Sequence, residues 1–296
     1  MALFRRKSKN KGKEIDDGPR NFKWDEILSI TDGLTNQLGE GMFGKVYKGK
    51  YKGADVPVKV GEDTRGKNLR GSWTAEINML TNLKHKNIIK LVGHGEDVQG
   101  SNLFLVYEYV HTDLKSKMEA LTWSETLKVL KGVAAMLEYI HTRRIVYNDL
   151  KPENVLLDED CSVKIGDFGA ALEENEYVQI YTPGYEAPEL RTNGKAKPSF
   201  DIYSFGIVAL QLIMKADSVK SLEDSRRGRS GGTKTILEHK RELQKNGQPV
   251  VHRRLLGSGC DSKITKKLLE IVDKFTIRDP TARPSIREVL VHLENL

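Results

Sequence analysis

Tyr147-Asn148-Asp149-Leu150-Lys151-Pro152-Glu153-Asn154-Val155-Leu156-Leu157 sets an acid, a lysine and an amide at positions 149, 151 and 154 and then runs apolar. Asp167-Phe168-Gly169 follows, with its aspartate 18 residues after Asp149. Thr182-Pro183-Gly184-Tyr185-Glu186-Ala187-Pro188-Glu189 comes next. Three ordered motifs at these separations rarely meet by chance.

Upstream lies Leu38-Gly39-Glu40-Gly41-Met42-Phe43-Gly44-Lys45-Val46. Glycines at this spacing let backbone N–H groups approach phosphate oxygens with no Cβ in the way. Taken alone the spacing is weak, because a dinucleotide-binding turn shares it. Such a turn leads into a helix, with an acid about 20 residues on. Here Val46-Tyr47 leads into further strand, and a second strand, Val58-Lys59-Val60, carries a lysine. A lone lysine in an apolar strand is usually a snorkelling surface residue. Fifteen residues after the glycine loop, it can instead turn inward toward phosphates. A buried ammonium needs a partner, and Glu76, 17 residues on in a helical stretch 72–83, is the candidate.

On these motifs the chain resembles the eukaryotic protein kinase family over residues 34–294. Leu105-Val106-Tyr107-Glu108-Tyr109, Leu121-Thr122-Trp123, Asp201-Ile202-Tyr203-Ser204-Phe205-Gly206 and Asp279-Pro280-Thr281-Ala282-Arg283-Pro284 narrow the resemblance to the plant receptor-like/Pelle group, in its receptor-like cytoplasmic branch. The resemblance implies an α+β, bilobal protein kinase fold: a small antiparallel sheet lobe over residues 34–110 and a larger helical lobe over 111–296. It also implies an ATP- and Mg²⁺-dependent protein serine/threonine kinase.

Roles then follow position by position. Asp149 matches the residue that orients the substrate hydroxyl and accepts its proton, and Lys151 matches the lysine that neutralises the transferring phosphoryl group. Asn154 and Asp167 match the metal ligands; hard oxygen donors suit Mg²⁺. Leu38, Gly39, Glu40, Gly41 and Gly44 cover the phosphates, and Lys59 holds them while paired to Glu76. Val46 and Leu156 sandwich the adenine. Tyr107 matches the gatekeeper, with Glu108 to Val110 offering backbone hydrogen bonds to the base. Glu189 and Arg283 match a buried brace of the helical lobe.

The chain makes three departures from the family pattern. Tyr147-Asn148 replaces His-Arg, and the absent arginine normally grips a phosphate on the activation segment. Residues 170–181 contain no Ser or Thr, so receiver and phosphosite are missing together. Pro57 stands where a small alanine usually forms part of the adenine ceiling, and it removes a strand N–H. Tyr181 replaces a glycine. Two readings stay open: an active kinase, or a pseudokinase-like adaptor whose fold presents a binding surface in receptor or immune signalling.

The chain has 296 residues, 38% hydrophobic and 30% charged, which suits a globular protein of one or two lobes. Two cysteines, Cys161 and Cys260, exclude a disulfide-rich secreted scaffold. No apolar run approaches the ~20 residues of a membrane span, so a cytoplasmic location is expected. The net charge of +7 is mostly local: residues 1–13 hold six basic residues and no acid. Residues 1–20 read as a disordered basic tail and 21–33 as a lead-in helix. A weak, reversible contact of residues 3–13 with anionic membrane at the plasma membrane is the second reading of that tail. The basic segment lacks interleaved aromatics, so no nucleic-acid partner is expected. Expected partners are a protein substrate and a receptor kinase or immune receptor. From Lys215 to Asp261 the chain is polar and reads as a surface excursion with one helix at 235–244.

Overall fold

The computed structural model describes residues 18–41, 44–62, 69–216 and 235–296. The basic segment 1–13 and residues 217–234 of the expected excursion lie outside the described residues.

Six strands build the sheet lobe: β1 (Arg20–Asn21), β2 (Gln37–Gly41), β3 (Gly44–Tyr51), β4 (Ala54–Glu62), β5 (Leu91–Glu96) and β6 (Asn102–Tyr107). Their order is β1-β5-β6-β4-β3-β2. In β4, Val56, Val58 and Val60 alternate, so all three point to one face. They meet Phe104 and Val106 of β6 in a small core. Phe22 and Ile27 of the lead-in enter the same core. Ile27 is fully buried, which contributes roughly 2 kcal/mol of transfer free energy.

The lead-in therefore belongs to the sheet lobe, and its helix is shorter than expected. Helix α1 spans Trp24–Ile30. Ahead of it, Arg20 and Asn21 pair in parallel with Gly93 and His94, and the Phe22 N–H donates to His94 O at 2.9 Å. Arg20, assigned to the tail from sequence, is thus sheet. Gly93 permits the approach: a Cβ there would fall 2.4 Å from Arg20 O. A two-residue strand has no alternation to read, which is why sequence pattern missed it.

Helix α2 (Leu69–Asn82) crosses this lobe. The helical lobe comprises α3 (Leu114–Lys117), α4 (Trp123–His141), α5 (Leu190–Asn193), α6 (Pro198–Met214), α7 (Ile236–Lys245), α8 (Arg253–Leu256), α9 (Ser262–Phe275) and α10 (Ile286–Glu294). Thr122 caps α4 in a capping box with Glu125. Helical spacing of Leu127, Leu130, Val133, Met136, Leu137 and Ile140 predicts one buried stripe on α4; all are buried except Leu127, which is partly buried against the same core. Every residue of α6 from Phe200 to Met214 is buried, as an all-round apolar helix must be. Glu189 and Arg283 form the expected brace, a bidentate pair at 2.6 and 2.8 Å.

The helix expected at 235–244 is present as α7, but the surface reading of the segment that carries it fails. Thr235 caps α7 in a second capping box, and Lys240, only 3% exposed, pairs with Asp273 of α9. Val250, Val251, Leu255 and Cys260 are buried in the main core. Their irregular spacing carries no period, so the segment reads as polar loop although it closes the base of the lobe.

Short strands shape the cleft: β7 (Thr112–Asp113), β8 (Ile145–Val146), β9 (Val155–Leu157), β10 (Val163–Ile165) and β11 (Leu172–Glu173). The order β10-β9-β7 makes one sheet, and β8 pairs with β11. The β9–β10 hairpin brings Asn154, before it, next to Asp167, after it; the Gly166 N–H donates to Asn154 O at 3.0 Å.

Candidate active site

Sheet register lines up the cleft roof. Gly39 pairs with Val46, Val46 with Lys59, and Lys59 with Leu105. Directly opposed residues share a face, so Gly39, Val46 and Lys59 look into one cleft. Leu38 and Glu40 are exposed, and a Cβ on Gly39 or Gly41 would meet open space. Gly44 differs: its φ is +143°, and a Cβ there would lie 2.3 Å from Val60 O. Only glycine lets the start of β3 lie this close to β4.

Lys59 Nζ lies 2.9 Å from Glu76 Oε2 and 3.2 Å from Asp167 Oδ1. The Tyr107 hydroxyl donates to the other Glu76 oxygen at 2.9 Å. Glu76 is 1% exposed. Burial alone would lower the Lys59 pKa, but Glu76 and then Asp167 outweigh it and raise it. Burial opposes ionisation of Asp167, yet Lys59 and Lys151 outweigh that too and hold its carboxyl below the ordinary 3.8. The site thus keeps a cation and an anion in contact at neutral pH. Asp167 has φ +50°, a conformation that non-glycine residues adopt only where surroundings impose it.

Across the cleft, Asp149 gathers three donors. Lys151 Nζ lies 2.6 Å from Oδ2, Asn154 Nδ2 lies 3.0 Å from the same oxygen, and the Thr182 hydroxyl donates to Oδ1. Lys151 also donates to Thr182 Oγ1 at 2.9 Å. Because its amide nitrogen is engaged, Asn154 keeps its Oδ1 for another ligand. Among the described residues no group of three or more His, Cys, Asp or Glu could hold a metal. Asn154 and Asp167 offer hard oxygen donors of the kind that suits a hard cation.

The loop carrying Asp149 is fixed from below. Asp201, fully buried, accepts from the Tyr147 and Asn148 N–H groups at 2.8 Å each and contacts His141 Nε2 at 2.8 Å. Tyr147 packs edge-on to Phe168 with centroids 5.1 Å apart, and its hydroxyl donates to Gly166 O at 2.5 Å. Tyrosine in place of histidine thus ties the loop to the Asp167 segment. Asn148, with φ +71°, donates to Ala170 O at 3.4 Å.

At the hinge the Glu108 N–H donates to Lys90 O at 3.0 Å, and its carboxylate meets Lys164 at 2.8 Å. Val46 and Leu156 are half-buried. All of the catalytic, nucleotide-binding and metal-ligand candidates named from sequence are among the residues described. Sequence reasoning missed Thr182 as a partner of Asp149, and Asp201 and His141 as supports. Asp201 sat in a quoted motif but was read only as a buried helix position.

The model of the protein kinase domain matches residues 34–293. Among curated proteins, the probable L-type lectin-domain containing receptor kinase S.5 of Arabidopsis thaliana is 33% identical over 92% of this chain and 44% of its own length. L-type lectin-domain containing receptor kinase V.7 of the same plant is 34% identical over 68% of this chain and 33% of its length. Kinase IX.2 is 31% identical over 94% and 44%. The chain spans less than half the length of these relatives. The match over 34–293, on a fold with the expected sheet and helical lobes, gives the conclusion: the chain belongs to the protein kinase family, with plant receptor kinases as its kin.

Proposed function

We propose that this chain is an ATP- and Mg²⁺-dependent protein serine/threonine kinase acting in intracellular signalling. The observation that carries the proposal is the closed set around Lys59: Glu76 at 2.9 Å and Asp167 at 3.2 Å, facing Asp149 with Lys151 and Asn154. A binding surface has no need of this arrangement, so the adaptor reading is not favoured.

Lys59 binds the α- and β-phosphates, and Gly39, Gly41 and Gly44 leave room for them under β2 and β3. Val46 and Leu156 enclose the adenine, and Glu108 and Val110 give it backbone hydrogen bonds. Asn154 and Asp167 hold Mg²⁺, which screens the phosphate charge when bound. Asp149 orients a Ser or Thr hydroxyl and takes its proton, in the position where the Thr182 hydroxyl now donates. Lys151 stands beside that oxygen and neutralises the charge that builds there. Positioning and electrostatics supply most of the rate in this chemistry.

The kinship with receptor kinases supports a receptor kinase or immune receptor as partner and a cytoplasmic location. No helix among the described residues is long and apolar enough to cross a membrane. The six basic residues of 1–13 support weak contact with anionic lipid; cosedimentation with phosphatidylserine vesicles at low salt, with and without residues 1–13, tests it. Radiolabel transfer from ATP to a generic Ser/Thr substrate tests the activity. Wild-type signal no higher than that of Asp149→Asn would return the chain to the adaptor reading.

A further inference from the structure

Trp73 precedes Glu76 by three residues on α2, so both side chains lie on one face of the helix. It is 2% exposed, and its ring centroid lies 5.5 Å from Lys59 Nζ. Its indole Nε1 finds no acceptor among the described residues. A buried donor without an acceptor is unfavourable, and Phe or Leu would carry none. No hydrogen bond among the described residues accounts for tryptophan at this place. What indole offers above other side chains is its π face, which attracts a cation more strongly than any other ring. The residue also lines a cavity of about 600 Å³ with Phe22, Trp24 and Ile77, away from the catalytic cleft. The ring thus stands between that space and the Lys59 ammonium.

We propose that Trp73 is a positioning residue for Lys59, holding the ammonium by a cation–π contact in the place from which it meets the nucleotide phosphates. The proposal rests on the reading of Lys59 as the phosphate-binding lysine. Glu76 and Asp167 draw the ammonium through its N–H groups. Arriving phosphate oxygens need those same N–H groups. A ring face holds the charge without presenting an oxygen that competes for them. The contact therefore persists from the free to the nucleotide-bound site.

The test compares Trp73→Phe and Trp73→Leu with Lys59→Met, reading Kd for Mg·ATP by calorimetry and kcat on a fixed peptide. Trp73→Phe keeps a π face and stays within about 3-fold of wild type in Kd. Trp73→Leu keeps burial but loses the face, and weakens Mg·ATP about 5- to 30-fold with kcat at saturating ATP changed far less. Equal Kd values for the Phe and Leu variants, with Lys59→Met still weakening binding, would overturn the role of Trp73 alone. An unchanged Kd in Lys59→Met would overturn the phosphate reading and this proposal with it. Should Trp73→Leu not fold, NMR of the wild type decides: Lys59 Hε signals shifted upfield by ring current support the contact, and signals at the position of an exposed lysine overturn it.

Discussion

The Val178 N–H donates to Gly194 O at 2.7 Å, and around it the activation segment is stitched to the loop before α6. Asn175 N donates to Ala196 O at 2.9 Å, Ala196 N donates to Glu176 O at 2.8 Å, and Tyr177 bridges Lys195. Upstream, β11 pairs with β8, and Glu174 N donates to Arg144 O at 2.7 Å. Backbone bonds here order the segment without a phosphate. Phosphatase-treated protein should keep its rate, and Tyr177→Phe and Tyr181→Phe should change it less than 3-fold. Loss of most activity in either variant would show that a tyrosine phosphate controls the segment.

Asp149 holds Thr182, Lys151 and Asn154 at once. Replacing it by Asn should lower phosphotransfer by ~10²–10⁴-fold, the usual effect of losing a positioned proton acceptor. The rise in unfolding temperature on adding Mg·ATP should survive. A variant with full rate would remove Asp149 from the chemistry.

Lys59→Met should destabilise the protein by ~1–3 kcal/mol at pH 7, because it leaves buried carboxylates without their charged donor. In the wild type the Asp167 pKa is depressed below 3.8, so its contribution is present above that pH and fades as pH falls through the folded value. Burial already raises the Glu76 pKa in the wild type despite Lys59; in the variant the cation is gone, burial pushes Glu76 further up and Asp167 up as well, and their cost grows as pH rises. The difference between the two proteins should therefore shrink from pH 7 toward pH 4. Urea unfolding across that range measures it; a constant difference would mean that Lys59 acts by packing rather than charge.

Tyr147→Phe keeps the edge contact with Phe168 but strands the buried Gly166 carbonyl. A loss of about 1–2 kcal/mol is expected, together with a lower kcat, since that bond ties the Asp149 loop to the Asp167 segment. Tyr147→His restores a donor of the family's kind. An unchanged denaturation midpoint in the Phe variant would show that water replaces the hydroxyl.

Sequence exposed the parts of this site where chemistry forces residue type. Lys59 in an apolar strand, Asp149 with Asn154, and Asp167 beside glycine are legible because few other side chains do their work. Helix α4 was legible from its apolar period and α6 from its nearly unbroken apolar run. The rest depends on contacts distant in sequence. Asp201 supports the 147–148 backbone from 53 residues away, and Thr182 reaches Asp149 across 33. The β1–β5 pairing rests on two residues and a pair of close-packing glycines. Residues 250–260 bury apolar side chains with no repeat.

Pro57 now has a defined place. Lys48 N donates to Asn36 O at 2.8 Å, so Lys48 faces β2 and its pair with Pro57 is a non-hydrogen-bonded one. Pro57 therefore faces β6. The β4–β6 ladder ends at Val58–Val106. One step further along that register sets Pro57 opposite Tyr107, the residue before Glu108. Proline has no N–H to donate there, so it caps the ladder at the hinge rather than breaking it in the middle. Pro57→Ala should extend the ladder by one bond to the Tyr107 carbonyl. That gain, ~1 kcal/mol, is offset by the freer unfolded chain, ~0.4–1 kcal/mol, so the denaturation midpoint should barely move. The nucleotide should respond more, because a smaller ceiling residue and a firmer hinge both favour the adenine. The Kd for Mg·ATP should fall, with kcat unchanged. Amide exchange gives the independent check: residue 57 should show a slowly exchanging N–H in the variant. Tighter ATP with fast exchange would assign the effect to ceiling size alone; an unchanged or weaker Kd would show that proline fits this adenine site as well as alanine does.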